Sequence, residues 1–165
     1  MIVREVDRAV TVFVPAYNEV TTLADTVADV RSACATLRDY EIIIVDDGST
    51  DGTGAVADLL ARPNIRVIHN PQNLGVAAGY RRALAEARMP FFTFIPGDRE
   101  VSRDSIGRIL AAIGSADIVV PYHANPRARP WHRRCVTWAS TRLINLLFGL
   151  TLRYYQGPCV YPTAL

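Results

Sequence analysis

Two periods alternate along the chain. Val10–Val14 is a short β-branched and aromatic run closed by Pro15, the pattern of a strand covered on both faces of a parallel sheet. From Glu19 the apolar positions Val20, Leu23, Val27, Val30, Cys34 and Leu37 recur every three or four residues, as on one face of a helix. The pair then repeats. Glu41–Val45 predicts a second buried strand, followed by a turn over Asp46–Gly52 rich in capping residues and a helix over Ala55–Leu60. Ile65–Ile68 predicts a third strand, Asn73-Leu74-Gly75 a turn, and Val76–Arg88 a helix that stops before Pro90. Phe91–Ile95 predicts a fourth strand. Ser102 is positioned to cap a helix carrying Ile106, Ile109, Leu110 and Ile113, and Asp117–Val120 predicts a fifth strand.

This alternation predicts an α/β fold with a mostly parallel sheet and helices on both faces. The remainder differs. Tyr122–Pro130 is too rich in proline and polar groups for a regular element, and Trp131–Phe148 predicts a helix with Val136, Leu143, Leu147 and Phe148 on its apolar side. The 165 residues, half of them hydrophobic, suffice for one domain with a real core. The longest apolar stretch, Leu143–Leu152, is about half the roughly 20 residues a bilayer span needs and carries Asn145. The N-terminus, with Arg4, Glu5, Asp7 and Arg8 ahead of the first apolar run, lacks the apolar region of a signal peptide, so a cytoplasmic location is expected. Cys34, Cys135 and Cys159 fit neither a zinc site nor a disulfide framework and are expected to be buried free thiols.

Charge changes the picture more than composition does. The net charge of +2 conceals six arginines (127, 129, 133, 134, 142 and 153) and no acid from Ile118 onward, which leaves 12 − 16 = −4 for the residues before it. A basic tail can meet nucleic acid, anionic lipid or a phosphate-bearing substrate. No nucleic-acid-binding motif accompanies it, and a nucleic-acid partner is not expected.

In open α/β sheets ligands bind beyond the carboxyl ends of the strands. Here those ends are Pro15-Ala16-Tyr17-Asn18-Glu19, Asp46-Asp47-Gly48-Ser49, His69-Asn70-Pro71 and Pro96-Gly97-Asp98-Arg99-Glu100. Carboxylates gathered on one edge raise one another's pKa unless a cation or hydrogen-bond donors compensate. Mg2+ or Mn2+ carried with a nucleotide is the natural compensator, because these ions take oxygen ligands and bridge carboxylates to phosphates.

VFVPAYNE followed by a helix, EIIIVDDGSTDGT, NLGVAAGYRRAL and a late acidic cluster resemble, in order and spacing, the family-two glycosyltransferases of GT-A fold. The likeness is greatest to the dolichol-phosphate and polyprenyl-phosphate mannosyl- or glucosyltransferases. It implies that Pro15, Tyr17, Asn18 and Glu19 border a nucleotide, that Asp46 contacts its base or ribose, and that Asp47 and Gly48 line the pocket. Ser49, Thr50 and Asp51 are expected to shape the turn, as are Asn73 and Gly75. The family's Asp-x-Asp metal motif falls on Pro96-Gly97-Asp98, so Asp98 alone matches its second carboxylate, with Glu100 two residues on as a candidate second ligand. Arg133 and Arg134 match paired basic residues that begin a helix in the polyprenyl-phosphate enzymes, and Gly157 and Tyr161 match a later run, although Pro162 replaces a residue that is often Arg. A planar guanidinium suits a phosphate acceptor. Trp131 and Trp138 suit either a bilayer headgroup layer or a core.

The resemblance implies inverting transfer of a hexose from a UDP- or GDP-sugar to a membrane polyprenyl phosphate, with Asp98, Arg133 and Arg134 as catalytic groups. Partners would include an anionic membrane surface, with the protein peripheral to the inner face. Transfer to a hydroxyl acceptor, or a nucleotide-sugar-binding domain weakened in catalysis, remain alternatives. Residues 1–100 are expected to form the nucleotide-sugar-binding half and 101–165 the acceptor-side half of one GT-A domain. Relatives of this kind continue further, so a C-terminally truncated domain is expected.

Overall fold

A computed structural model describes residues 8–122, 131–152 and 157–164, without the side chain of Arg133. The expected loop over Tyr122–Pro130 lies, from residue 123 on, outside the described residues.

The element order is β1 (Ala9–Ala16), α1 (Leu23–Cys34), β2 (Asp39–Asp46), α2 (Thr53–Leu60), β3 (Ile65–His69), α3 (Val76–Ala85), β4 (Phe91–Phe94), α4 (Arg103–Ala111), α5 (Trp131–Phe148) and β5 (Tyr161–Pro162). The sheet order is β3-β2-β1-β4-β5; the first four strands run parallel and β5 pairs antiparallel with β4. Chain contacts divide the protein into two compact units, residues 1–119 with 160–165, and residues 120–159.

Both faces of the central strands are covered, which is why Ile42, Ile43 and Ile44 are all fully buried. Val10, Val12 and Val14 of β1 pack on one face with Leu23, Val27 and Val30 of α1 and Ile106, Ile109 and Leu110 of α4. Phe13, Ile43, Val45 and Phe92 pack on the other with Ala83 and Tyr80 of α3. The chain therefore changes sheet face between the β2–α2–β3 crossover and the β3–α3–β4 crossover. The switch point, where β1 is flanked by β2 on one side and β4 on the other, is where such folds place ligands. Pro15 helps to open it. Its carbonyl accepts from the Gly97 amide at 3.1 Å, but it has no N–H to donate, and the β1–β4 pairing ends at Phe13–Phe94.

The fifth strand is a correction to the sequence reading. Asp117–Val120 makes only an isolated antiparallel bridge, Val119 to Val160, and the fifth strand of the sheet is Tyr161–Pro162. Tyr161 lies beside Phe92 with ring centroids 5.8 Å apart. The helix caps are mixed: the Ser102 hydroxyl accepts from the Ser105 amide at 3.4 Å, as its position predicts. Of the cysteines, only Cys34 is buried, with its thiol pushed up to about 12 by desolvation; Cys159 is half-buried with its thiol raised for the same reason, and Cys135 on α5 is exposed. The expectation of three buried thiols thus holds for one.

Candidate functional site

The loops after β1 and β2 are stapled together by the turn over residues 49–53. The Asn18 amide donates to Ser49 Oγ at 3.0 Å, the Glu19 amide to Thr53 Oγ1 at 2.8 Å and the Val20 amide to Asp51 Oδ2 at 3.2 Å. Asn18 returns the contact, its Oδ1 accepting from the Thr50 amide at 2.9 Å, and it sits at φ 56°, a left-handed conformation that asparagine tolerates better than most residues. Ser49, Thr50 and Asp51 therefore build the turn, and the hydrogen bonds from Thr53 and Val20 hold the Asp51 carboxyl below its ordinary value.

Consecutive strand residues point to opposite faces, so Asp46 and Asp47 at the end of β2 diverge. Asp46 is buried on the α2 side. Its Oδ2 meets His69 Nδ1 at 3.0 Å, and its Oδ1 accepts from the Ser49 amide at 3.1 Å. Burial pushes its carboxyl up, but hydrogen bonds from Ser49 and His69 outweigh it and the net shift is downward. His69 is raised by hydrogen bonds to Asp46 and, through Nε2 at 3.1 Å, to Asp58. A raised His69 adds stability that is full below its unfolded value of about 6.5 and is lost as pH rises through the higher folded value. A lowered Asp46 adds stability that is full above about 3.8 and is lost as pH falls through the lower folded value. The advantage of wild type over His69→Gln in urea unfolding should therefore be largest near pH 5–6 and shrink towards pH 9. The change should be only about 0.5 kcal/mol, because the ring is half exposed. An advantage that grows with pH would overturn the assignment.

Asp47 faces the α3 side. Its Oδ1 accepts from Asn70 Nδ2 at 2.7 Å and the Leu74 amide at 3.0 Å, and its Oδ2 from the Gly75 amide at 2.8 Å. Gly48 lets the same loop close in. At φ 72° a Cβ there would lie 2.5 Å from the carbonyl carbon and 2.7 Å from Cα of Gln72. Gly48→Ala combines left-handed strain with a backbone collision and should cost roughly 3 kcal/mol, or about 10 °C in thermal midpoint. Gly107→Ala in α4, where a Cβ meets nothing within 4 Å, should instead stabilise by up to about 1 kcal/mol. Equal midpoints for the two variants would remove the close approach from the account.

After β4 the backbone crosses close under β1, since a Cβ on Gly97 would lie 2.8 Å from the Pro15 carbonyl oxygen. Asp98 and Glu100 are exposed, and Asp98 Oδ1 accepts from the Glu100 amide at 2.9 Å. Arg99 between them sits at φ 63° and reaches back to α1, with Nη1 2.6 Å from Asp25 Oδ2 and Nε 3.4 Å from Asp29 Oδ2.

These ends enclose a cavity of about 310 Å3 at the switch point. Among the residues singled out from sequence, Pro15, Tyr17, Glu19, Asp47 and Asp98 line it. Asn18, Asp46, Gly48 and Glu100 do not; the first three shape the loops around it. Phe13 and Val45 form an apolar floor, and Gly75, Val76 and Gly79 form a wall that the sequence reading took for turn and helix only. The signal was present as the small-residue run of GVAAG. A Cβ on Gly79 would stand 3.3 Å from Phe13 Cζ, so glycine lets α3 approach the sheet here.

Among the described residues no three His, Cys, Asp or Glu side chains are grouped so as to hold a metal. Asp47 accepts from three N–H donors, whereas among the described residues Glu19 has only Oε2 engaged, by Thr22 Oγ1 at 2.9 Å, and Asp98 has only Oδ1 engaged, by the Glu100 amide, so each of these two carboxylates keeps an oxygen available to the cavity. One or two carboxylates, Asp98 with Glu19, fit the mode in which a Mg2+-like ion takes few protein ligands and completes its shell with diphosphate oxygens and water.

In the second unit, α5 carries exposed Trp131, Trp138, Leu146, Leu147 and Phe148, so neither tryptophan is core. Arg134 is exposed, and Arg142 lies over the Trp138 ring at 5.6 Å. The side chain of Arg133 lies outside the described residues. No helix among the described residues is long and apolar enough to cross a membrane.

The cavity at the switch point of this α/β sheet, apolar-floored and edged by carboxylates, lies where such folds bind ligands, and residues 11–160 match the family described as Glycosyl transferase family 2. The chain belongs to that family. It is 29% identical over 149 residues to undecaprenyl-phosphate mannosyltransferase of Micrococcus luteus, covering 84% of this chain and 60% of that protein. It is 30% identical over 150 residues to polyprenol monophosphomannose synthase of Mycolicibacterium smegmatis, covering 84% and 56%. The chain thus spans little more than half the length of these relatives. In fold it matches mannosyl-3-phosphoglycerate synthase from Rubrobacter xylanophilus at a TM-score of 0.70 with 19% identity, covering 94% of this chain and 53% of that one. It also matches glucosyl-3-phosphoglycerate synthase from Mycobacterium tuberculosis in complex with Mn2+, UDP and phosphoglyceric acid at 0.68 with 21% identity, covering 95% and 56%. The fold is that of the GT-A glycosyltransferases.

Proposed function

We propose that this chain is the donor-binding part of an inverting hexosyltransferase that moves the sugar of a UDP- or GDP-sugar to a membrane polyprenyl phosphate. The observation that carries the reading is the convergence of Pro15, Tyr17, Glu19, Asp47 and Asp98 on one cavity at the switch point of a family-two chain. The polyprenyl-phosphate relatives support the acceptor, and the fold relative solved with Mn2+ and UDP supports the donor and the metal.

In this reading Pro15, Tyr17 and Glu19 border the nucleotide, with Asn18, Asp46 and Gly48 holding the loops that shape its subsite. Asp98, with Glu100 beside it, faces the diphosphate. Bound Mg2+ or Mn2+ would neutralise charge on the departing nucleoside diphosphate. An acceptor phosphate oxygen attacks the anomeric carbon as the bond to the nucleoside diphosphate breaks, inverting the centre. The attacking phosphate is already ionised at neutral pH, so the protein needs to position and neutralise it rather than remove a proton. Arg133 and Arg134 are the groups assigned to that task, within an acceptor-side half that follows a nucleotide-binding half over residues 1–100. The exposed tryptophans and arginines of α5 suit a peripheral site on the anionic cytoplasmic face of a membrane.

The test is transfer of labelled hexose from UDP- and GDP-sugars to polyprenyl phosphate with Mn2+, with the product anomer read by NMR. Retention of configuration, or transfer only to a hydroxyl acceptor, would displace this reading. Pro96 in place of the first carboxylate favours one second reading, a nucleotide-sugar-binding domain weakened in catalysis. That reading is supported if nucleotide sugars bind but no acceptor is glycosylated.

A further inference from the structure

The Asp47 carboxylate holds the cavity wall by accepting from the Leu74 and Gly75 amides, and what holds Asp47 is Asn70 at the end of β3. An amide side chain can present either its oxygen or its nitrogen; the Asp47 carboxylate, which only accepts, calls for Nδ2, and a donating partner on the far side locks the amide that way. That partner is Arg82 of α3, whose Nη1 donates to Asn70 Oδ1 at 2.7 Å and to the His69 carbonyl at 3.2 Å. A guanidinium can only donate, so it fixes the oxygen towards itself and turns Nδ2 towards Asp47. We propose that Arg82 and Asn70 are positioning residues for donor binding: Arg82 holds the Asn70 amide in the orientation that serves Asp47, and Asn70 locks Asp47 and the Leu74–Val76 wall in the conformation that receives the nucleotide.

Neither residue lines the cavity, and Asn70 is buried whereas Arg82 is exposed. Removing the Asn70 amide leaves Asp47 Oδ1 with the Leu74 amide alone and the buried amide site unfilled. Arg82 is therefore the better probe, because it can be changed without opening the core. The chemistry predicts an order. Lysine at 82 still only donates and should preserve the relay. Glutamine can donate or accept and should weaken it in part. Glutamate can only accept, so it draws Nδ2 to itself and turns Oδ1 against the Asp47 carboxylate.

This proposal rests on the cavity being the donor site, and the experiment separates the two. Calorimetric titration of the 165-residue chain with UDP- and GDP-sugars and Mn2+ is run on wild type, Arg82→Lys, Arg82→Gln, Arg82→Glu and Arg81→Glu, with thermal midpoints measured alongside. Arg81 is exposed on the same helix turn and controls for the change in local charge. The expected result is wild-type affinity for Arg82→Lys and Arg81→Glu, and binding weakened about tenfold in Arg82→Glu, with Arg82→Gln between. If wild type binds no nucleotide sugar, the donor-site reading fails. If wild type binds and Arg81→Glu weakens binding as much as Arg82→Glu, the effect is one of field and the relay is overturned. If Arg82→Glu binds like wild type, the relay is overturned outright. Equal loss in Arg82→Lys and Arg82→Glu also overturns it, because the donor-only variant should rescue.

Discussion

Asp98→Ala should abolish the divalent-metal dependence of nucleotide binding and lower hexosyl transfer by about 10²–10³-fold, the usual size of losing one group that stabilises developing charge. Asp98 is singled out by which carboxylates of the cavity are already engaged and by its match to the family's second metal-binding carboxylate. Asp47 already accepts from Asn70, Leu74 and Gly75, Glu19 has one oxygen engaged with Thr22, and Pro96 supplies no carboxylate. Asp98 has one oxygen tied to the Glu100 amide, which holds the turn, and one directed to no neighbour among the described residues. With so few protein ligands, metal and diphosphate bind in mutual dependence, so Mn2+ should tighten UDP or GDP binding in wild type and do little in the variant. Glu100→Ala separates the two carboxylates: if Glu100 is a ligand, its loss weakens metal-dependent binding too. Titration of UDP and GDP with and without Mn2+ reads both, and metal-dependent affinity unchanged in Asp98→Ala would remove the metal assignment.

The four parallel strands and their helices were legible because each apolar run is short, rich in β-branched or, at Phe91–Phe94, aromatic residues, and separated from the next by a helical period. What the pattern missed has local physical causes. Helix α1 runs from Leu23, but the turn into it starts at Glu19, whose carbonyl accepts the Leu23 amide at 2.9 Å. The amides of Asn18, Glu19 and Val20, which have no partner within a helix, are met by Ser49, Thr53 and Asp51 from a loop some thirty residues away. Helix α3 stops at Ala85 because the Arg88 amide is drawn to the buried Glu41 carboxylate at 2.6 Å. Strand β5 has two residues, too few for any period to declare itself, and its pairing depends on chain returning from residue 160 onward. At the site, the positions Pro15, Tyr17, Glu19, Asp47 and Asp98 were legible as strand ends. The divergence of Asp46 and Asp47 to opposite faces follows from strand alternation, but their partners His69, Asn70 and Arg82 come from other elements that only the folded sheet brings beside them.

Reversing both Arg133 and Arg134 to Glu should abolish transfer to polyprenyl phosphate, by about 10²-fold or more, while leaving nucleotide-sugar affinity within about twofold. The two residues open α5, in a unit of the chain separate from the one that carries the cavity, and from Ile118 onward six arginines face no acid. An acceptor phosphate needs positive charge, and the proposed function assigns that task to Arg133 and Arg134. The same reversal should weaken binding to vesicles containing anionic lipid, since each basic residue near such a surface contributes about 1 kcal/mol and is screened within a Debye length. Raising the salt concentration should therefore release wild type from the vesicles and change the already weaker binding of the variant less. Three measurements on the double variant decide the matter: transfer rate, nucleotide affinity and vesicle binding. Wild-type transfer with reduced vesicle binding makes the arginines a solvated membrane-facing surface and removes the acceptor role. Loss of nucleotide affinity as well would mean that α5 supports the donor cavity, and that the division between a donor part and an acceptor part of the chain is wrong.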